Sequence, residues 1–147
     1  MKKNKPILIS LILGLIISQS YAQNTGTLII EINSFKNDVG QVAISIHNGE
    51  KGFPGGEETM VQAKYVTINE GKAFAEFDNL PFGEYGVSAY HDENANEKLD
   101  ANWIGIPKEG VGASNNAKGK MGPPKYEDAK FEFIEGGQKV NFDMGYL

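Results

Sequence analysis

The stretch F-D-N-L-P-F-G-E-Y-G-V, residues 77–87, combines a tight turn with the start of a strand-like run. Its proline restricts one backbone dihedral angle of the turn, and we expect Gly83 to adopt a positive φ. Leu80 is expected to lie beneath the turn. Tyr85 and Val87 are two positions apart, so they point to the same face of the following strand. This stretch predicts a corner between two strands of a β-sandwich.

Strand patterns continue on both sides of this corner. The predicted strands end at turns rich in Gly, Asn and Pro, and they comprise residues 27–32, 41–47, 61–68, 72–77, 84–91, 126–134 and 138–146. We interpret the first two as a hairpin joined by the turn at 37–40. Seven short strands without a convincing helix predict an all-β chain. The expected fold is a single antiparallel β-sandwich, immunoglobulin-like or transthyretin-like, with one long irregular loop.

That loop, residues 92–125, is rich in Gly, Asn, Pro and Lys. A structureless segment of this length inside one domain is often functional. We therefore expect the chemistry of the chain to be located there.

The loop begins with D-E-N-A-N-E-K-L-D, which has the form D-x-N-x-N-x-x-x-D. Side-chain oxygens from Asp92, Asn94, Asn96 and Asp100, with the main-chain carbonyl of Lys98, form the first part of a calcium-loop pattern. Ca²⁺ takes six to eight oxygen ligands, and a short loop supplies them when alternate side chains turn inward. The spacing predicts a Ca²⁺ site.

Two positions depart from a complete helix-loop-helix calcium site. Glu97 occupies the sixth position, where Gly normally permits a sharp turn, and Trp103 at the twelfth position is not a carboxylate. The loop also follows a strand, so a shorter calcium loop on a β-scaffold fits better. The alternative is a surface turn whose Asp and Asn side chains bond to their own backbone.

Two histidines offer a second interpretation. His91 directly precedes the loop, and His47 lies at the end of the second predicted strand. If the two strand ends converge, the two histidines with Asp92 or Glu93 could hold a transition metal. The protein would then be a metal-dependent hydrolase. The structural alternative is a half-buried His91 that donates a hydrogen bond to order the loop. No nucleophile or acid–base pair stands out elsewhere, so we expect a protein without catalytic activity.

An apolar patch lies further along the loop. Trp103, the only Trp in the chain, is followed by Ile104. Such a patch can recognise a glycan or a peptide, and with His91 it forms a candidate ligand surface. We expect instead that both side chains pack beneath the loop.

The first 22 residues predict a cleaved signal peptide. Three lysines are followed by an apolar run at 7–17 and by Ser20-Tyr21-Ala22, which fits a cleavage site. The run is short for a membrane span, which needs about 20 residues. We therefore predict a domain at 23–147 that is exported to the periplasm or outside the cell, with no membrane span in the mature chain.

Charge and cysteine content limit the classes of partner. Three of the 14 basic residues lie in the predicted signal, which leaves eleven against 19 acidic residues, a net charge of about −8. All basic residues are Lys. An acidic chain without Arg is not expected to bind nucleic acid. Because the chain has no Cys, it cannot form disulfides, and a bound ion could take over that stabilising role.

Three motifs in order carry a resemblance to a known family. They are F-x-N-L-P-x-G-x-Y from residue 77, Y-H-D-E-N-A-N-E-K-L-D from residue 90, and G-I-P-K-E-G-V-G-A-S-N-N from residue 105. Together they resemble the bacterial exported family called domain of unknown function 2141, and the likeness extends over nearly all of the predicted mature chain. The Gly that the family pattern has after the second Asn is Glu97 here. The resemblance implies an exported single-domain sandwich and assigns no activity.

We therefore expect an exported, non-catalytic, monomeric β-sandwich that binds Ca²⁺. Its partner would be a glycan or peptide of the cell envelope or the extracellular medium.

Overall fold

Two β-sheets pack face to face in the computed structural model, which describes residues 24–147. The predicted signal peptide, residues 1–22, lies outside the described residues. The strands are β1 (Thr25–Asn33), β2 (Gln41–His47), β3 (Met60–Val66), β4 (Ala73–Pro81), β5 (Gly83–Asp92), β6 (Val111–Ala113), β7 (Phe131–Phe133) and β8 (Lys139–Asp143). One helical turn, α1 (Tyr126–Ala129), precedes β7.

The smaller sheet has the order β4-β1-β8, and the larger has the order β3-β2-β5-β6. Strand β7 pairs with the first residues of β5. Strands β1 and β8 run parallel, and the other pairs are antiparallel. The predicted β-sandwich is thus confirmed, with one parallel strand pair in it.

The core lies between the sheets and consists of alternate residues from each strand. The larger sheet contributes the inner-face residues Val42, Ile44, Ile46, Val87 and Ala89, and the smaller sheet contributes Leu28, Ile30, Ile32, Ala75, Phe77 and Phe142. Burying one large apolar side chain stabilises a fold by about 1.5–3 kcal/mol. The alternate residues of β2 and β5 form the outer face of the larger sheet.

The corner at 77–87 carries the chain from the smaller sheet to the larger. Leu80, Tyr85 and Val87 are buried, as their positions in the sequence predicted. The Tyr85 hydroxyl donates a 2.8 Å hydrogen bond to the carbonyl of Pro81, which ties the start of β5 to the end of β4. The prediction for Gly83 was wrong: the positive φ, 54°, occurs at Asn79.

The predicted hairpin between the first two strands was also wrong. Strand β1 pairs with β4 and β8, whereas β2 pairs with β3 and β5 in the other sheet. The turn between β1 and β2 is bound to the turn between β3 and β4. The Asp38 carboxylate accepts hydrogen bonds from the backbone N–H groups of Glu70 and Gly71, each at 2.8 Å. Apolar alternation shows which face of a strand is buried, but it does not show which sheet the strand joins.

The predicted strand at 126–134 begins instead as the helical turn α1. Tyr126 and Ala129 are both buried, because one helical turn brings them to the same side. Ser114 holds this turn: its hydroxyl donates to the Ala129 carbonyl at 2.5 Å and accepts from the backbone N–H of Val87 at 2.9 Å. No helix within residues 24–147 is long and apolar enough to cross a membrane.

The segment 92–125 is less irregular than its composition indicated. It contains β6, which pairs with residues 88–90 of β5, and the 3-10 turn Ser114–Asn116. The side chain of Asn116 accepts a 2.8 Å hydrogen bond from the backbone of Asp143 in β8. The second half of the segment is therefore part of the sandwich.

Replacing Tyr85 by Phe removes the hydroxyl that joins the two sheets and leaves the Pro81 carbonyl without this donor. We expect the free energy of unfolding to fall by about 1 kcal/mol, measured by urea denaturation. The matched control is Tyr65→Phe on the half-exposed Tyr65 ring, for which we expect a change below about 0.5 kcal/mol. Equal losses in both variants would contradict a specific role for the corner hydroxyl.

Candidate functional site

The polar side chains of the 92–100 loop turn toward one another. The side-chain amide of Asn94 donates to Asp100 Oδ2 at 2.7 Å, and that of Asn96 donates to Asp100 Oδ1 at 3.2 Å. The backbone N–H of Asn96 donates to Asp92 Oδ1 at 3.0 Å. Four of the five residues predicted from the calcium-loop spacing therefore lie in one cluster.

Lys98, the fifth predicted residue, lies in the turn of this loop. Its backbone N–H donates a 2.9 Å hydrogen bond to Asn96 Oδ1. Participation of its carbonyl in ion binding stays a prediction.

Asp92 is the buried anchor of the loop. It is the last residue of β5 and is fully buried, next to Gln41 on the neighbouring strand. Its Oδ2 accepts hydrogen bonds from the Gln41 side chain at 2.9 Å and from the backbone of Glu97 at 3.0 Å. Burial raises the pKa of Asp92, but the hydrogen bonds from Gln41, Glu97, Asn96 and Ala95 outweigh it, so the pKa lies below its ordinary value.

The turn is tight at two residues that are not Gly. Ala95 has a φ of 53° and Glu97 a φ of 62°, a left-handed conformation that is unfavourable for residues with a Cβ atom. For Glu97, this conformation directs its N–H toward Asp92. The chain thus forms the turn at the position where Gly is normal, despite the Glu there.

Glu109 braces both ends of the loop. It is 5% exposed, and its carboxylate accepts from the backbone N–H of Glu93 at 3.0 Å and from that of Asp100 at 2.9 Å. Sequence reasoning did not single out this residue. It lies nine positions beyond the loop, and no spacing rule connects it with Asp92 or Asp100.

The donor set of the loop is two carboxylates and two amides, with main-chain oxygens close by. Throughout residues 24–147, no group of three or more His, Cys, Asp or Glu side chains is arranged to hold a metal ion. Carboxylate and amide oxygens are ligands that Mg²⁺, Ca²⁺ and Mn²⁺ prefer.

The two histidines do not form a common site. His91 pairs with Val42 on the inner face, whereas His47 is five residues further along β2 on the outer face, about 17 Å away along the strand. Glu93, a third member of the predicted metal site, forms a 2.6 Å ion pair with Lys36, which lowers the pKa of Glu93. The geometry thus contradicts a two-histidine metal site.

His91 has a structural position instead. It is fully buried; its Nε2 donates to the carbonyl of Val39 at 2.6 Å, and its Nδ1 accepts from the Tyr146 hydroxyl at 2.7 Å. These contacts join β5 to the β1–β2 connection and to the C-terminal segment. His91 orders the surroundings of the loop, and it does so from the core, where it is more deeply buried than predicted.

The expected packing of Trp103 and Ile104 beneath the loop was wrong. Trp103 is 94% exposed and Ile104 is 56% exposed. Asn102 explains this, because its side-chain oxygen accepts hydrogen bonds from the backbone N–H groups of Ile104 and Ile106, each at 3.0 Å. These bonds form a small turn that holds both apolar side chains outside the sandwich.

Residues 30–141 match a family described as uncharacterized proteins conserved in bacteria (DUF2141). The chain belongs to this family. No curated protein and no solved structure matches the chain.

The span matched by the DUF2141 family includes the 92–100 loop, Glu109 and the exposed Trp103 turn. It also reaches from β1 into β8, so it covers both sheets of the sandwich. The family description assigns no activity, and function must be argued from the sites.

The low pKa of Asp92 predicts a pH-dependent contribution to stability. A lowered folded-state pKa stabilises the protein above the ordinary carboxyl value, and this contribution is lost as the pH falls through the folded-state value. In chelator, Asp92→Asn should melt below wild type at about pH 6, and the difference should shrink toward about pH 2. Thermal melts across this range test the prediction.

The exposed Asp128→Asn variant is the control for these melts, and its pH profile should run parallel to that of wild type. A constant difference between Asp92→Asn and wild type at every pH would show that the ionised form of Asp92 has no special role.

Proposed function

We propose that the chain is an exported, non-catalytic β-sandwich module whose 92–100 loop binds Ca²⁺. The observation that carries this proposal is the convergence of the Asp92, Asn94, Asn96 and Asp100 side chains in one turn. The Lys98 carbonyl and water would complete the six to eight oxygens that Ca²⁺ takes.

The hydrogen bonds within the cluster are compatible with ion binding. The amides of Asn94 and Asn96 donate to Asp100, and rotating each amide by half a turn presents its oxygen at the same place. Ion binding would replace the bonds that these oxygens accept from the backbone N–H groups of Asn96 and Lys98. The bonds from the Asn96 and Glu97 N–H groups to Asp92 fix that carboxylate at the base of the loop. Two carboxylates with neutral oxygens match the charge and the hardness of Ca²⁺.

The proposed role of the ion is to stabilise the loop. Residues 101–107, which include Trp103, lie between Asp100 and Lys108. The backbone N–H of Lys108 donates a 2.8 Å hydrogen bond to the Asp100 carbonyl and closes this segment into a turn. Ordering Asp100 therefore also orders the base of the turn that carries Trp103. In a chain without Cys, an ion is one of the few remaining means of fixing such a segment.

Calcium should raise the melting temperature by mass action. At free Ca²⁺ about 100-fold above the dissociation constant, the gain is about 2.7 kcal/mol, or roughly 10 °C for a domain of this size. Asp100→Asn should remove most of this gain because it takes away one of the two carboxylates. Calorimetric titration and melts with calcium or chelator measure both quantities.

The control is Asp128→Asn, which changes an exposed carboxylate outside the loop and should retain the full calcium response. Absence of binding heat, together with equal melting temperatures in calcium and chelator, would overturn the proposal and leave a turn bonded to its own backbone.

We propose as a second candidate that the Trp103 turn binds a glycan or peptide in the envelope or extracellular medium. The exposure of Trp103 and Ile104, held by Asn102, favours this function. Because hydrogen bonds to Asn102 already fix the backbone of the turn, little backbone entropy is lost when a ligand binds to the Trp103 ring. Export of the chain and the monomeric state remain part of the proposal.

Trp103→Ala tests this second candidate. With soluble cell-wall glycan fragments as the probe, we expect binding, followed by NMR, to weaken at least tenfold because the stacking surface is lost. Stability should change by less than about 0.5 kcal/mol because the ring is exposed. The control is Ile134→Ala, an exposed apolar residue outside the turn. Unchanged binding in Trp103→Ala would exclude the turn as the recognition surface.

A further inference from the structure

A groove crosses the outer face of the larger sheet, away from the Trp103 turn. Its volume is about 300 Å³, at the lower end of the range for small-molecule sites. Strands β3, β2 and β5 form its floor, and the segment between Pro54 and Met60 forms one wall. This groove is not part of the proposed calcium site or of the Trp103 turn.

The strand register explains how the groove arises. One cross-strand row on the outer face consists of Tyr65, Ala43 and Tyr90, and the next consists of Ala63, Ser45 and Ser88. The first row has two large side chains and the second has only small ones. Neighbouring rows on one face are about 7 Å apart and neighbouring strands about 4.8 Å. Ser88 is buried beneath the Pro54 carbonyl, so Ser45 and Ala63 form the open part of the floor. A groove of about 300 Å³ has room for a single sugar ring or an alkyl side chain.

The wall on the first row is an aromatic pair. The hydroxyl oxygens of Tyr65 and Tyr90 are 3.3 Å apart, above Ala43. Burial and the hydrogen bond with Tyr65 raise the pKa of Tyr90, so the Tyr90 hydroxyl stays neutral at physiological pH. The pair offers two aromatic rings and their hydroxyl groups to a ligand in the groove.

The opposite wall is held by hydrogen bonds. The Ser88 hydroxyl donates to the Pro54 carbonyl at 2.7 Å, and Phe53 packs edge-on against His47, with ring centroids 5.3 Å apart. His47 is thereby covered, and burial lowers its pKa. The wall is thus anchored to the sheet.

The charges that line the groove are predominantly negative. Glu57 on the loop wall and Glu97 from the cation loop both line it. Glu97 reaches the groove because Asp92 lies on the same outer face, one row beyond Tyr90. The lysine at the edge of the groove, Lys64, has its ammonium group elsewhere: it donates to the Glu76 carbonyl and lies 5.1 Å from the ring centroid of Phe77.

We propose that this groove binds a small ligand that carries a primary ammonium group. Aromatic faces beside carboxylates are the combination that recognises organic cations, by cation–π attraction and by charge pairing. The ammonium group can belong to an amino sugar or to a lysine side chain, both of which fit the floor. Binding requires neither an ion in the 92–100 loop nor the Trp103 turn.

The test is an NMR titration of the purified exported protein in chelator, with two cationic probes, glucosamine and Nα-acetyl-lysine amide. N-acetylglucosamine, the neutral match for glucosamine, is the control ligand. At least one cationic probe should shift the amide signals of Ser45, Ala63 and Ser88 saturably. Glucosamine should bind at least fivefold more tightly than its neutral match if the sugar is the source, and the lysine probe should bind more tightly than glucosamine if a peptide is the source.

Three variants localise the binding. Glu97→Gln should weaken binding of the cationic probe two- to fivefold, the range of one partly exposed charge pair. Ala63→Leu fills the floor from an exposed position on β3 and should abolish binding without unfolding the protein. The control is Glu135→Gln in an exposed turn outside the groove, which should bind like wild type.

Three outcomes would overturn the proposal. They are the absence of saturable shifts with both cationic probes, equal affinity for glucosamine and its neutral match without binding of the lysine probe, and undiminished binding in Ala63→Leu. Shifts confined to the Trp103 turn would likewise place the ligand elsewhere.

Discussion

The alternation of side chains along β5 positions each site of this protein. On the inner face, Val87, Ala89 and His91 belong to the core, and on the outer face Ser88 and Tyr90 belong to the groove. The hydroxyl of Tyr85 ties the beginning of the strand to the smaller sheet. A shift of one residue in the register of β5 would exchange the two faces, so the core, the groove and the 92–100 loop depend on a single register.

The 92–100 loop shows how a buried carboxylate can organise a turn. Asp92 is fully buried without a cationic partner in the contacts described, and its charge is compensated by N–H donors from Gln41 and from the loop backbone. Glu109 does the same for the backbone at Glu93 and Asp100. Glu97 occupies the position where Gly normally permits such a turn, and the hydrogen bond from its N–H to Asp92 compensates for its left-handed conformation. The same network brings the Glu97 side chain to the groove.

Local patterns allowed part of the fold to be predicted. The β2 bounds, 41–47, agree with the structure because its alternation is strict and turns flank it on both sides. The side chains of the D-x-N-x-N-x-x-x-D stretch converge because that spacing turns alternate residues inward. The bracing by Glu109 and the pairing of Tyr65 with Tyr90 were not predicted, because their partners are 9 to 25 positions apart in the chain.

The sequence by itself determined where most of the strands lie, which of their faces are apolar and where the polar loop begins. These properties follow from side-chain type and spacing over a few residues, so they can be read along the chain. The tertiary structure alone decided that β1 and β2 join different sheets, that residues 126–129 form a helical turn, and that Trp103 is exposed. It also decided that the two histidines lie apart. The exposure of Trp103 follows from the local turn at Asn102. The other outcomes depend on hydrogen-bond partners far away in the chain: Asp38 with Gly71, Ser114 with Ala129, and β2 with β5. Such partners become neighbours only when the sheets pack, which is why local sequence patterns do not reveal them.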